Sequence, residues 1–93
     1  MYQKIELEKI LSLLDGWKVV EGRNAIYKKF IFDDFHECFS AMTKIALKAD
    51  EMNHHPEWLN IYNQLEVTLT SHVKNEVTSS DFELAQFIDS VII

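Results

Sequence analysis

The apolar positions near the start of the chain follow first a helical and then a strand-like pattern. The first stripe has the spacing i, i+3, i+4, i+7 of one helix face and comprises Leu7, Ile10, Leu11 and Leu14. We expect this helix to end at Asp15-Gly16, with Gly16 in a left-handed conformation. The runs WKVV and AIYKKFIF then flank the turn EGRN at residues 21–24, which predicts a β-hairpin.

The middle of the chain predicts a longer helix. Asp34 is a suitable N-cap because Glu37 follows three residues later, as in a capping box. The helix is expected to run to about Asp50. Its predicted apolar face is Phe35, Phe39, Met42, Ile45, Ala46 and Ala49.

Two further strands and a last helix complete the pattern. WLNIY predicts one strand, and QLEVTLTSH a second that is joined to it by a hairpin through residues 62–64. In the second strand Leu65, Val67 and Leu69 share one face, and the other face carries Glu66, Thr68, Thr70 and His72. The polar segment KNEVTSSD leads to a helix capped around residues 78–80, with the apolar stripe Leu84, Phe87, Ile88 and Val91.

The predicted element order is α-β-β-α-β-β-α, within a single domain over residues 1–93. Because hairpins join the strands and no long crossover is present, we expect a four-stranded antiparallel sheet with three helices on one face. The fold class is therefore α+β, and the second face of the sheet is free for a ligand or another subunit.

Composition narrows the possible functions. The net charge of −6 argues against direct binding to nucleic acid or to an anionic membrane surface. No apolar run approaches the roughly 20 residues of a membrane span. The single cysteine, Cys38, excludes an internal disulfide, and the charged N-terminal segment does not look like a signal peptide. These features predict a soluble cytoplasmic protein, present also in the nucleus if the source is eukaryotic.

The histidines are concentrated in one part of the chain. Three of the four lie between Asn53 and His72. His54 and His55 precede Pro56, the only proline, which favours an extended backbone at His55. Because the hairpin brings the start of one strand near the end of the next, we expect all three imidazoles at one edge of the sheet.

Three interpretations of this cluster remain open. The histidines could be unrelated surface residues, or they could form a three-histidine zinc site. Adjacent histidines in an extended chain diverge, however, and no cysteine pair supports a metal site. The third interpretation is acid–base chemistry without metal, since imidazole titrates near neutral pH, with Asp81 and Asp50 orienting the rings. Nucleophilic catalysis has little support, because Cys38 lies in a predicted apolar helix and no Gly-rich turn carries a serine.

These segments resemble a known family. NHHPEW, then IYNQLEVTLTSH, then Asp81 nine residues beyond His72 are similar to the pterin-4a-carbinolamine dehydratases, and the likeness extends from Gly16 to Val91. The resemblance implies dehydration of 4a-hydroxytetrahydropterin to quinonoid dihydropterin, with no metal or other cofactor. In that case the substrate would be released by aromatic amino-acid hydroxylases.

The resemblance also implies site residues. His54, His55 and His72 match the active-site histidines of the family, and Asp81 matches a supporting aspartate. The positions implied to bind or flank the pterin are Asn53, Pro56, Thr70, Ser71, Trp17 and Asp50. Two residues depart from the family pattern: Asp50 stands where Glu is frequent, and Asn53 stands where Asp can occur. His36 matches no family motif.

The resemblance leaves a second class of function open. Some family members act as dimerisation cofactors of a homeodomain transcription factor through a helical surface, and a role on a different pterin is a third possibility. Family members form dimers or tetramers through strands and a helix bundle. We therefore expect a homodimer or homotetramer, with the second helix at or near a subunit contact.

Overall fold

The computed structural model describes residues 4–92 of the chain, and side chains from residue 7 onward. Its elements are α1 (Lys4–Ser12), β1 (Lys18–Val19), β2 (Ile26–Ile31), α2 (Phe35–Met52), β3 (Glu57–Ile61), β4 (Gln64–Leu69) and α3 (Ser79–Ile92). This order confirms the predicted α+β fold. Helix α1 ends at Ser12, earlier than expected, and Gly16 (φ 84°) lies in the loop that follows. No helix within the described residues is long and apolar enough to cross a membrane.

The sheet has the strand order β1-β2-β4-β3, and all neighbouring strands are antiparallel. In the register, Leu69 of β4 faces Ile26 of β2, and Thr68 faces Glu57 of β3. The start of β2, the start of β3 and the end of β4 therefore meet at one end of the sheet. We call it the histidine end, because His54, His55 and His72 adjoin these strand termini.

One face of the sheet and the three helices enclose the core. The strands contribute Ile26, Phe30, Leu65, Val67 and Leu69, and the helices contribute Leu7, Ile45, Leu84, Ala85 and Ile88. In the predicted stripe of α3, Leu84 and Ile88 are fully buried, and Val91 packs against the core from a partly buried position. The other face of the sheet leaves Ile31, Leu59 and Ile61 exposed.

The predicted apolar face of α2 is only partly buried. The helix begins as expected, with the Asp34 side chain accepting a hydrogen bond from the Glu37 backbone N–H at 2.8 Å. Its buried residues, however, are Cys38, Ala41, Ile45 and Ala49. Phe35 and Phe39 remain 46% and 53% exposed, with stacked rings whose centroids are 5.6 Å apart, and Ala46 is exposed as well. Helix α2 thus has a second apolar face that the monomer does not cover.

The end of β4 also differs from the prediction. The strand ends at Leu69, so His72 lies in the following turn and not on the polar face of a strand. Thr70 was expected on that polar face but is only 2% exposed. Its hydroxyl donates to the backbone carbonyl oxygen of Asn24 at 2.9 Å, which draws this position inward.

Candidate active site

The C-terminus of α2 places the two adjacent histidines. Asn53 adopts a left-handed conformation (φ 51°, ψ 45°), and the His54 backbone N–H then bonds to the Ala49 carbonyl oxygen at 3.0 Å. Asparagine tolerates this conformation better than most residues, which gives a physical reason for Asn53 at this position. Pro56 opposes any continuation of the helix, so His54 and His55 leave it in irregular backbone.

His54 is held by a buried carboxylate. Its Nε2 lies 2.5 Å from Asp81 Oδ1, and the side chain of Asp81 is fully buried. The other oxygen, Oδ2, accepts from the Ser71 hydroxyl at 3.0 Å and from the Thr78 backbone N–H at 2.8 Å. Oδ2 thus accepts from two donors, and a proton on His54 Nε2 would satisfy Oδ1 as well. The position of Asp81 in the first turn of α3 also favours a negative charge.

The other two histidines bond to exposed or half-exposed carboxylates. His55 Nε2 lies 2.8 Å from Asp50 Oδ1, and His72 Nε2 lies 3.0 Å from Glu57 Oε2. Glu57 also accepts two hydrogen bonds from Arg23, at 2.9 and 2.8 Å. The Arg23 guanidinium, followed by the His72 ring, lowers the pKa of Glu57 from 4.5 to about 2. Glu57 is therefore ionised at any pH near neutrality.

The three rings share one hydrogen-bonding pattern. Each uses Nε2 to contact a carboxylate: Asp81 for His54, Asp50 for His55 and Glu57 for His72. When Nε2 carries the proton, Nδ1 has the free lone pair, and it can accept a proton from a ligand or return one. Among the described residues, no group of three His, Cys, Asp or Glu side chains is arranged to hold a metal ion.

The remaining predicted residues at the histidine end either bond within the protein or lie exposed at its surface. The Thr70 hydroxyl is engaged inside the protein by Asn24, and the Ser71 hydroxyl supports Asp81. Pro56 is partly exposed and connects His55 to the start of β3. Of the implied pterin-contacting side chains at this end, Asn53 and Asp50 are exposed.

Trp17 does not join the histidines. It is 5% exposed, its ring packs edge-to-face on Phe30, and its Nε1–H donates to Asp89 Oδ2 at 3.1 Å. Asp89 lies eight residues after Asp81 on α3, a separation of about 12 Å along the helix axis. The aromatic residue implied by the resemblance is therefore placed toward the opposite end of the sheet.

Sequence reasoning did not identify Arg23, Asn24 or Glu57 as site residues. Arg23 and Glu57 are 34 positions apart and meet because the β1–β2 turn lies at the histidine end. Asn24 accepts the Val77 backbone N–H through its side chain at 2.8 Å. The predicted hairpins placed residues 21–24 in a turn, but they did not predict the pairing of β2 with β4 that brings this turn beside the start of β3.

Comparison with known proteins identifies the family of the chain. The profile of the family described as Pterin 4 alpha carbinolamine dehydratase matches residues 2–91. A protein of Paraburkholderia xenovorans is 51% identical over 81 residues, covering 87% of this chain and 84% of its own. A protein of Burkholderia vietnamiensis is 49% identical over 94 residues, covering 98% of this chain and 92% of its own. Both are provisionally named pterin-4-alpha-carbinolamine dehydratases.

Two solved structures share the fold. One is a transcriptional coactivator/pterin dehydratase from Brucella melitensis, which is 40% identical, with a TM-score of 0.97 and coverage of 99% of this chain and 98% of that one. The other is a pterin dehydratase-like protein described as a RuBisCO assembly factor in the alpha-carboxysome. At 15% identity and a TM-score of 0.72, covering 83% of this chain and 89% of that one, it shows the fold alone. The profile match and the relatives show that the chain belongs to the pterin-4-alpha-carbinolamine dehydratase family.

Proposed function

We propose that the protein dehydrates 4a-hydroxytetrahydrobiopterin to quinonoid dihydropterin and water by histidine acid–base catalysis. The observation that carries the proposal is the set of three imidazoles at one end of the sheet, each bonded through Nε2 to a carboxylate. In this role the protein would support tetrahydrobiopterin recycling after an aromatic amino-acid hydroxylase has released the substrate.

The reaction requires only proton transfers. The bond between carbon 4a and its hydroxyl oxygen breaks, and the oxygen takes up a proton and leaves as water. The neighbouring ring nitrogen loses a proton, and its electron pair forms a carbon–nitrogen double bond. One imidazolium can supply the first proton and one neutral imidazole can accept the second, with no external oxidant or reductant. General acid–base groups typically contribute about 10²–10⁴-fold each to such a step.

We assign His54 and His72 as the acid–base pair and His55 to substrate orientation. His54 has the most restricted ring, because its side chain is only 14% exposed and Asp81 holds Nε2. His72 is more exposed, but its carboxylate partner Glu57 is itself fixed by Arg23. His55 and its partner Asp50 are both largely exposed, which suits a contact with bound substrate better than control of a proton.

Turnover of a 4a-hydroxytetrahydropterin by the purified protein tests the proposal. We expect formation of the quinonoid product well above the spontaneous rate. His54→Ala and His72→Ala should each slow the reaction by about 10²-fold or more while the fold is retained. His36→Ala is the matched control, because His36 is exposed in the first turn of α2, far along the helix from His54. Wild-type turnover in both site variants would refute the acid–base assignment.

The role of metal is tested in the same assay. Dialysis against a strong chelator should leave the rate unchanged, since each imidazole is bonded to its own carboxylate. A loss of activity that added zinc restores would replace the acid–base proposal with a metal-dependent one.

The uncovered face of α2 favours assembly and a second candidate function. Phe35 and Phe39 expose stacked rings there, and Leu47 is 68% exposed on the same helix. We propose a homodimer or homotetramer with this face at or near a subunit contact. The Brucella relative is described as a transcriptional coactivator as well as a dehydratase, so this face could instead receive a transcription factor.

A charge on α2 separates these roles. Phe39→Glu should reduce the mass measured by sedimentation at micromolar concentration and leave dehydration intact, because Phe39 lies 15 residues before His54, most of them in helix α2. A wild-type protein that sediments as a monomer would contradict the assembly proposal. An interaction module would keep its binding in His54→Ala, whereas the enzyme would lose its turnover.

A further inference from the structure

Arg23, Glu57 and His72 form a continuous chain of contacts at the histidine end. Arg23 Nη1 donates to Glu57 Oε1 at 2.9 Å and Nη2 donates to Oε2 at 2.8 Å, so the guanidinium holds the carboxylate from both oxygens. The same Oε2 accepts from His72 Nε2 at 3.0 Å. The guanidinium fork thus sets the plane of the carboxylate to which the imidazole is bonded.

We infer that Glu57 is a positioning residue for His72 and that Arg23 positions His72 indirectly, through Glu57. This inference rests on the proposed dehydratase function and adds two residues that neither the sequence pattern nor the resemblance assigned. Glu57 fixes which ring nitrogen carries the proton and limits rotation of an otherwise exposed ring. Arg23 keeps the flexible side chain of Glu57 in the orientation in which its carboxylate contacts the His72 ring.

The exposure of these side chains supports a positioning role over a structural one. The side chains of Arg23 and Glu57 are 41% and 39% exposed, and ion pairs at that exposure contribute little to folding stability. Yet the pair is bidentate and shares an oxygen with an imidazole of the site. Loss of this ion pair should therefore change the orientation of the His72 ring more than it changes the free energy of unfolding.

The same turn also anchors the backbone on both sides of His72. The backbone carbonyl oxygen of Asn24 accepts a hydrogen bond from the Thr70 hydroxyl at 2.9 Å. The side-chain oxygen Oδ1 of Asn24 accepts a hydrogen bond from the Val77 backbone N–H at 2.8 Å. Residues 70 and 77 bracket the exposed turn that carries His72. The β1–β2 turn thus holds the flanking backbone through Asn24 and the ring through Arg23 and Glu57.

Kinetics in two backgrounds test the inference. Glu57→Ala should lower kcat by about 10-fold with KM little changed, because misplacement of a reacting group lowers the rate steeply. In a His72→Ala background the same change should have less than about a twofold effect, because the residue to be positioned is absent. Glu57→Gln, which keeps the size of the side chain, should show the same dependence on His72. Equal losses in both backgrounds would overturn the inference.

The contribution of Arg23 is tested by a second cycle. Arg23→Gln should lower kcat less than Glu57→Ala, and the double variant should equal Glu57→Ala alone. Arg23→Lys, which keeps the charge without the fork, should fall between wild type and Arg23→Gln. Lys9→Gln is the control for loss of one exposed cation, because Lys9 lies on α1, and it should leave kcat unchanged. Additive losses from Arg23 and Glu57 would contradict action through Glu57.

A measurement without turnover distinguishes failure of this inference from failure of the proposed function. Absence of wild-type turnover above the spontaneous rate would refute the dehydratase proposal alone. Carbon-13 NMR relaxation of the His72 ring should still show a more mobile ring in Glu57→Ala and Arg23→Gln than in wild type and Lys9→Gln. The His55 ring, which is bonded to Asp50, serves as an internal control. Equal His72 mobility in all four proteins would overturn the inference whatever the activity.

Discussion

Two aspartates of α3, Asp81 and Asp89, make similar hydrogen bonds for different purposes. Asp81, near the start of the helix, accepts the ring N–H of His54, and Asp89, two turns later, accepts the ring N–H of Trp17. Asp81 is fully buried and its other partners are the neutral donors of Ser71 and Thr78. The Asp89 side chain is 28% exposed and forms an ion pair with Lys28 at 2.9 Å.

The chemistry of the attached ring decides what each carboxylate can do. Imidazole exchanges protons near neutral pH, so the Asp81 cluster can take part in acid–base catalysis. The indole N–H is a donor only, so the Asp89 cluster cannot pass a proton through Trp17. Lys28 also donates to the Asp15 carbonyl oxygen at 2.7 Å, so this cluster joins the α1–β1 loop and β2 to α3. A carboxylate bonded to an aromatic ring is thus not in itself a sign of catalysis.

A matched pair of substitutions gives the largest expected contrast. Asp81→Asn should slow dehydration by about 10²-fold or more, because an amide no longer offers two acceptor oxygens and cannot hold His54 in the same tautomer. Asp89→Asn makes the same chemical change at the other end of α3 and should leave kcat within about twofold. The measurement is kcat for both variants at neutral pH.

Stability must be followed alongside these rates. Asp81→Asn leaves buried donors without full partners, which costs about 1–3 kcal/mol. Urea unfolding of both variants shows whether they remain folded under assay conditions. Similar kcat losses in two folded variants would mean that the ends of α3 do not differ as we propose.

The histidine end could be predicted in part from the sequence. The hairpin and Pro56 predicted His54, His55 and His72 at one end of the sheet, and Asp81 was named as a carboxylate that could orient one of the rings. The ion pair of Arg23 with Glu57 could not be found by local patterns, since it depends on the relative position of two hairpins. The burial of Thr70 was missed because we continued the alternation of inward and outward side chains past Leu69. The strand β4 ends at Leu69.

Helix α2 shows a different limit of sequence reasoning. Two stripes of α2 have helical spacing, so periodicity alone does not say which of them packs against the sheet. They are Phe35-Phe39-Met42-Ala46 and Cys38-Ala41-Ile45-Ala49. The structure selects the stripe with the smaller side chains, which lets α2 pack closely, and leaves the phenylalanines outside. Which stripe is buried depends on the distance between the helix and the sheet. That distance is set by the whole fold and cannot be read from the sequence of the helix alone.

A moderate effect is expected from Trp17→Phe. The change keeps an aromatic ring against Phe30 but removes the N–H that Asp89 accepts, so the free energy of unfolding should fall by about 1–3 kcal/mol. Dehydration should remain near the wild-type rate. Urea unfolding and kcat measured on the same preparation check both expectations. A large fall in kcat at unchanged stability would instead place Trp17 in the site, as the family resemblance implies.

The smallest effect concerns the response of the histidine end to acid. The pKa of Glu57 is lowered from 4.5 to about 2, chiefly by Arg23 and secondly by His72. A carboxyl group whose pKa is lower in the folded state than in the unfolded state stabilises the fold above its unfolded pKa. That contribution is lost as the pH falls from about 4.5 to about 2.

Arg23→Gln removes the main cause of this shift, so the pKa of Glu57 should rise toward 4.5 while His72 still lowers it. At neutral pH the carboxylate stays ionised in both proteins, and the variant therefore tests orientation and not charge. The difference in unfolding free energy between wild type and variant should be constant above about pH 5 and should disappear as the pH falls through about 2 and below. Carbon-13 NMR titration of the Glu57 carboxyl, with urea unfolding at several pH values, measures both. An unchanged Glu57 pKa in Arg23→Gln would show that the guanidinium does not hold this carboxylate in solution, and the proposed route from Arg23 to His72 would fail with it.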